Sequence, residues 1–195
     1  MITAVVLAAG SSRRMGSNKL ALPWGKSTIL ESTLQALTTP QINRRILVLG
    51  HEAERWQHLA EQGWEMVQSP LYAQGQSYSL RAGIRNLGAE CESILFCLGD
   101  LPLLQKTTVD YLIEVFQQNK LLLAAPAYQG KRGNPVLFAS SLLPELRELS
   151  GDVGARIFFQ RYPHILVPVD DYGTITDIDT PEEYEKWRGK QECSF

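Results

Sequence analysis

Arg14 and Lys19, set in the run Leu7-Ala8-Ala9-Gly10-Ser11-Ser12-Arg13-Arg14-Met15-Gly16-Ser17-Asn18-Lys19, are the residues whose types and spacing best suit chemistry on an anion. The small residues let backbone N–H groups approach a phosphate, and the two side chains add fixed positive charge beside those donors. Such a loop suits a triphosphate, although the same composition also serves as a solvated turn with surface charges. Two common phosphate loops are excluded by spacing. A Walker loop needs Gly, four residues, then Gly-Lys-Ser/Thr, whereas five residues separate Gly10 from Gly16 and Lys19 follows Asn18. The dinucleotide fingerprint of three glycines in a six-residue window is absent as well.

A second candidate is Asp100. The apolar run Ile94-Leu95-Phe96-Cys97-Leu98 leads into Gly99-Asp100-Leu101-Pro102, which sets the carboxylate at the carboxyl end of a strand, where ligands of parallel sheets bind. Magnesium takes one or two carboxylates together with phosphate oxygens and water, so one well-placed Asp suffices as protein ligand; the alternative is a plain turn cap before Pro102. In Gln74-Gly75-Gln76-Ser77-Tyr78-Ser79 the polar groups can bond a base edge or cap the helix that follows.

These residues need a frame. Short apolar runs alternate with helical patterns, which implies an α/β fold with a mainly parallel sheet covered on both faces. Expected strands are Ile2–Ala8, Arg45–Leu49, Glu65–Gln68, Ser93–Leu98, Leu121–Ala127, Val136–Phe138 and Ile165–Pro168. Thr28-Ile29-Leu30-Glu31 reads as a capping box opening a helix to about Leu37, and further helices are expected over Glu52–Gln62, Ser77–Leu87, Thr107–Asn119, Ser141–Leu149 and Val153–Gln160. Thr180-Pro181-Glu182-Glu183 starts the last one.

Composition narrows the function classes. The 195 residues, 44% hydrophobic and 21% charged, fit one domain with one sizeable core, and a net charge of −2 provides no basic field for duplex nucleic acid or anionic membranes. No apolar run approaches the roughly 18 residues that span a bilayer, so a cytoplasmic location is expected. Cys91, Cys97 and Cys193 lack CxxC spacing, and His51, His58 and His164 are scattered, which points to reduced structural thiols and no zinc site.

The Leu7–Lys19 run resembles the opening motif of nucleotidyltransferases that act on the molybdenum cofactor, Leu-Ala-(Ala or Gly)-Gly-x-Ser-x-Arg-Met-Gly-x-x-Lys, with every fixed position filled. The resemblance puts Leu7, Ala8, Ala9, Gly10, Ser12, Arg14 and Lys19 at the nucleotide and leaves Arg13 on a variable position. Gly99-Asp100-Leu101-Pro102 matches the family's metal motif. Gly75, Ser77 and Ser79 fall on its base and ribose stretch, with Tyr78 where relatives more often carry Ser or Ala. Arg132-Gly133-Asn134-Pro135 and Gly151-Asp152-Val153-Gly154-Ala155-Arg156 resemble its acceptor-side loops, which assigns Arg132, Asn134, Asp152 and Arg156 to the acceptor. Guanidinium groups suit bidentate contacts to a phosphate or a pterin carbonyl edge, and equally a loop-tying salt bridge. Thr176-Asp177-Ile178-Asp179-Thr180-Pro181-Glu182 resembles the closing motif whose acidic residues approach the metal, giving Asp179 and its neighbour Asp177 beside Asp100; Asp179 also suits the N-terminus of a helix.

The matched strings run from about residue 3 to about residue 184 in the family's order. The implied fold is the nucleotide-diphospho-sugar transferase type, a Rossmann-like three-layer α/β/α sandwich with an antiparallel excursion near Asn134–Phe138. The implied reaction moves a nucleotide from a magnesium-bound triphosphate to a phosphorylated acceptor, with Lys19, Arg14 and Asp100 as the catalytic groups. Leu-Ala-Ala-Gly is the form of the family's cytidine branch and Leu-Ala-Gly-Gly that of its guanine branch, so Ala9 implies CTP and transfer of CMP to molybdopterin. A molybdenum hydroxylase of the xanthine dehydrogenase type would receive the product. GTP as donor, another phosphorylated acceptor, and a non-catalytic cofactor carrier are the alternatives.

Overall fold

The computed structural model describes residues 1–10, 15–16, 18–50, 52–151 and 154–192. Ser12, Arg14 and Asp152 therefore lie outside the described residues. In chain order the elements are β1 (Ile2–Ala8), a hairpin of β2 (Pro23–Trp24) and β3 (Ser27–Thr28), α1 (Ile29–Ala36) and β4 (Arg44–Leu49). A 3₁₀ helix (Ala53–Gln62), β5 (Glu65–Gln68), α2 (Gln76–Ile84), β6 (Ser93–Leu98), α3 (Lys106–Gln118) and β7 (Leu123–Tyr128) follow. The chain continues through β8 (Lys131–Arg132), β9 (Val136–Ala139), α4 (Leu143–Arg147), α5 (Phe158–Arg161), β10 (Ile165–Pro168) and α6 (Pro181–Glu192).

The main sheet runs β10-β7-β9-β6-β1-β4-β5, with β8 paired to β7. Strands β1, β4, β5 and β6 are mutually parallel, as are β7 and β10, whereas β9 is antiparallel to both β6 and β7. This is the mostly parallel α/β sheet that the sequence pattern implied, with the antiparallel excursion that the resemblance implied. Strand β1 shows why. Ile2, Ala4, Val6 and Ala8 enter one core, beneath α1 and α3, while Val5 joins Ile46, Val48, Leu80, Ile84 and Phe96 in the other. A strand buried on both faces reads as a continuous apolar run, and its two-residue alternation divides the run between two layers.

Local chemistry sets the helix starts. Thr28 accepts the Glu31 N–H while the Glu31 carboxylate accepts the Thr28 N–H, a complete capping box. The same reciprocal pair joins Thr180 and Glu183 at α6. Elsewhere the expected helices change. Ala53–Gln62 is 3₁₀ rather than α, ending at Gly63 with φ 83°. A 3₁₀ helix stacks residues three apart, which lines up Ala53, Trp56 and Leu59 against the core. Helix α2 stops at Ile84, three residues before the expected end. Ser141–Leu149 divides into a 3₁₀ turn and the short α4, and Val153–Gln160 into a 3₁₀ turn at Ala155–Ile157 and α5.

Helix α2 packs on β1 and β4 through Gly83, where a Cβ would collide with Val5 Cγ1 and lie 2.8 Å from Val48 Cγ2. Alanine is the better helix former by about 1 kcal/mol, but overpacking in a core costs about 1–3 kcal/mol. Gly83→Ala is therefore expected to lower the urea midpoint despite the propensity gain. A raised midpoint would show that α2 is free to move off the sheet.

Candidate active site

Strand order locates the site before any side chain does. From β1 the chain proceeds outward to β4 and β5 and then returns to lay β6 on the other side of β1. The reversal makes the carboxyl ends of β1 and β6 a topological switch point, where open α/β sheets bind ligands. Leu7 and Leu98 are register partners there, so the Ala9-Gly10 turn and the Gly99-Asp100 turn leave the sheet side by side.

Each charged side chain is held by its own local device. Asn18 Oδ1 accepts the Leu20 N–H at 3.2 Å, capping the 3₁₀ turn Lys19–Ala21 and fixing the direction of Lys19. The Asp100 turn is tied at three points: Gly99 N donates to Leu7 O at 3.0 Å, Leu101 N to the Thr33 hydroxyl at 3.1 Å, and Ile178 N to Asp100 O at 3.2 Å. The last bond draws in the segment before α6. Ile178 is fully buried, and its neighbours Asp177 and Asp179 reach back over the turn. Upstream, the buried Asp171 accepts from Gln105 N and Gly173 N, anchoring the start of the same segment.

Carboxylate oxygens of Asp100, Asp177 and Asp179 all lie within 4.8 Å of one another. Lys19 Nζ donates to Asp100 Oδ2 at 2.6 Å and to Asp179 Oδ1 at 2.5 Å. Burial alone would lower the Lys19 pKa, but the Asp100 charge and the hydrogen bonds to both aspartates outweigh it, so the ammonium group titrates above the ordinary lysine range. The Asp177 carboxyl is pushed up by burial and then by the neighbouring charges of Asp100 and Asp179. An uncompensated negative field thus remains after Lys19 has been counted. Asp100 Oδ1 is buried and has no hydrogen-bond partner among the described residues. Three hard oxygen donors, one of them orphaned, fit a hard divalent cation.

These groups wall a cleft of about 730 Å³ whose other sides are Leu7, Ala8, Ala9, Gly10, Tyr72, Gln74, Gly75, Gln76 and Ser79. Gln74 and Gln76 belong to the polar stretch that the sequence offered for a base edge, whereas Tyr72 is an addition that sequence reasoning missed. The signal for Tyr72 lies in Gly50, where a Cβ would fall 2.6 Å from Ala9 O and 2.7 Å from Tyr72 Cγ. The ring reaches the cleft because position 50 carries no side chain. Ser79 lines the cleft with its hydroxyl on Ser69 at 3.3 Å. Ser77 does not line it: the side chain is fully buried and donates to Gly151 O at 2.5 Å. Helical geometry separates it from Ser79, since residues two apart face different sides of a helix.

A second cavity of about 300 Å³ opens beyond Leu7, Gln76 and Leu98, which line both, and is walled by Arg132, Asn134, Gly154, Arg156 and Phe159. The Arg132 guanidinium stacks 4.2 Å from the Phe159 ring centroid. Burial, then the Arg156 charge, lower the Arg132 pKa. Neither arginine forms an ion pair among the described residues, and both line this one cavity. Asn134 N donates to Thr174 O at 2.8 Å, fastening the Arg132 loop to the segment that delivers Asp177 and Asp179.

The switch-point cleft, its carboxylate cluster and the sheet order define a nucleotidyltransferase of the nucleotide-diphospho-sugar transferase fold. A family model described as the MobA-like NTP transferase domain matches residues 4–165, and the chain belongs to that family. Purine catabolism protein PucB of Bacillus subtilis is 30% identical, covering 94% of each chain. Molybdenum cofactor cytidylyltransferase of Escherichia coli is 28% identical over 94% of this chain and 93% of its own. The crystal structure of Rv0371c from Mycobacterium tuberculosis superposes with a TM-score of 0.84 at 29% identity, covering 96% of this chain and 97% of that one. Its manganese complex superposes at 0.81 with 27% identity over 96% and 98%. That relative thus binds a divalent metal. Among the described residues, no helix is long and apolar enough to cross a membrane.

Proposed function

We propose that the protein transfers CMP from magnesium-bound CTP to the terminal phosphate of molybdopterin, releasing pyrophosphate. The observation that carries the reading is the meeting of two cavities at Leu7, Gln76 and Leu98, one walled by the acidic cluster and Lys19, the other by Arg132 and Arg156. A triphosphate in the first and an anionic acceptor in the second would face each other across that boundary. The choice of cytidine rests on Ala8-Ala9-Gly10 and on the similarity to the Escherichia coli cytidylyltransferase.

In this reading an acceptor phosphate oxygen attacks the α-phosphorus, the bond to the β-phosphate oxygen breaks, and pyrophosphate leaves with the electron pair. Alignment and charge stabilisation are the protein's main tasks. Gly10, Ser12 and Arg14 hold the β- and γ-phosphates. Lys19 turns from the carboxylates to the α-phosphate oxygens, where charge accumulates. Asp100, with Asp177 and Asp179, would hold the magnesium ion, which supplies charge neutralisation on the phosphates. Gly75 and Ser79 border the base and ribose, and Arg132, Asn134, Asp152 and Arg156 take the acceptor. No general base is needed, because a phosphate nucleophile is already ionised at neutral pH. A molybdenum hydroxylase of the xanthine dehydrogenase type would then take up the dinucleotide.

Incubation with each of the four triphosphates, magnesium and molybdopterin, followed by mass analysis, tests donor and acceptor together; binding without pyrophosphate release would instead mark a carrier. Wild type is expected to prefer CTP over GTP by roughly ten- to a hundredfold in kcat/KM, the range that one or two pocket groups provide. Ala9 lines the cleft and is almost wholly buried, so its methyl group limits room at the end of β1. Ala9→Gly should narrow the preference without inverting it. An enzyme that already prefers GTP would refute the cytidylyl assignment, and an unchanged ratio in the variant would place Ala9 away from the base.

A further inference from the structure

Ser77 spends its hydroxyl in an unusual place. It is the second residue of α2, two positions past the N-cap where a serine would serve the exposed N–H groups of the first turn; the N-cap itself is Gly75 at φ 131°, and α2 has no side-chain cap. The fully buried hydroxyl instead reaches 74 positions along the chain to Gly151 O. Two further bonds continue the seam: Arg81 Nη1 donates to Leu149 O at 3.5 Å, and Arg147 Nη2 donates to Leu87 O at 2.7 Å. Residues 77, 81 and 87 thus meet 151, 149 and 147, an antiparallel clasp between α2 with the turn after it and the segment that leads to Arg156.

Beside the clasp the backbone itself closes up. A Cβ on Gly154 would lie 2.5 Å from Gln76 Oε1, and Gln76 lines both cavities. Arg156 stands two residues beyond Gly154, in the second cavity near Arg132. Two guanidinium groups facing one cavity repel each other until an anion sits between them, so Arg156 must be held there by its backbone.

We propose that Ser77 is a positioning residue that couples the two cavities: its bond to Gly151, with Gln76 packed on Gly154, holds the Arg156 segment against the helix that borders the nucleotide cleft, so that a bound triphosphate steadies Arg156 for an anionic acceptor. The inference rests on the nucleotidyl-transfer reading and adds to it a coupling between the donor and acceptor cavities. Filling the first cleft confines Gln76 against Gly154. The segment at Ala155–Arg161 then samples fewer open states, and the acceptor meets a preformed anion site. Coupling of this kind is a free energy shared between sites and is reciprocal.

The test is amide hydrogen exchange at Ala155–Arg161 in the full-length protein, with and without magnesium and CTP, together with the KM for molybdopterin. In wild type, CTP is expected to slow exchange there by at least about fivefold. Ser77→Ala should abolish that protection and raise the acceptor KM by roughly tenfold or more, while the dissociation constant for CTP changes by less than about threefold. Should Ser77→Ala fail to fold, Gly154→Ala carries the test, because it only displaces the flexible end of Gln76, and it should abolish the protection as well. Protection that survives in the folded variants overturns the coupling. So does wild-type protein that binds CTP and transfers CMP with no change in exchange at Ala155–Arg161, which leaves the nucleotidyl-transfer reading standing. Wild type that binds none of the four triphosphates overturns both.

Discussion

Asp100→Asn is expected to fold normally and to lose at least about a hundredfold in turnover, equivalent to about 2.7 kcal/mol of transition-state stabilisation. The amide has the same shape, so the bonds from Gly99 N to Leu7 O and from Ile178 N to Asp100 O, both made by backbone, persist. What disappears is charge. A neutral amide is a poor ligand for a hard cation, and the side chain affected is the one whose Oδ1 has no hydrogen-bond partner among the described residues. Lys19 retains Asp179 at 2.5 Å, so the thermal transition should move by only a few degrees. Near-normal turnover at saturating magnesium would remove Asp100 from the metal site. A collapsed transition would instead assign Asp100 to the architecture.

Lys19→Ala should reduce kcat by roughly a hundred- to a thousandfold, the loss typical of removing one group that meets developing charge, with a much smaller change in triphosphate affinity. The geometry adds a second outcome of opposite sign. In the structure the ammonium occupies the space between Asp100 and Asp179, at 2.6 and 2.5 Å, where a divalent cation would have to bind. The variant without nucleotide is therefore expected to bind manganese at least about tenfold more tightly than wild type, since a competing positive charge has been removed from between two of the carboxylates. Calorimetric titration with manganese alone reads this directly. Weaker manganese binding would mean that Lys19 organises the carboxylates and does not compete with the metal. A loss confined to triphosphate affinity would make it a ground-state anchor.

The two variants separate roles that one ion-pair cluster superimposes. Both remove a charge from the Lys19–Asp100 pair, yet one should weaken metal binding and the other strengthen it. A purely structural salt bridge would give neither response. Partly buried pairs of this kind are weak evidence for stability in any case, because desolvation offsets most of the attraction.

What the sequence determined by itself is everything that depends on neighbours in the chain. The β1 and β6 runs, the capping boxes at Thr28 and Thr180, and the Gly99-Asp100 turn follow from side-chain alternation, from caps three residues long and from strand-end chemistry, all of which act within a few residues. Resemblance extended that reach to Arg132 and Arg156, whose strings were legible but whose shared cavity was not. Tertiary structure decided the rest. Lys19 reaches Asp100 across 81 positions and Asp179 across 160, separations bridged only because β6 returns to the side of β1 opposite β4. Ser77 looked like a pocket residue from its motif and became a buried tie, since which side of α2 faces the cleft depends on how Gly83 seats the helix on Val5 and Val48. Tyr72 entered the cleft through the space left at Gly50. Sequence patterns record which groups are present and what they do locally; their distances across the site are set by sheet order and helix seating, which are properties of packing that no local window contains.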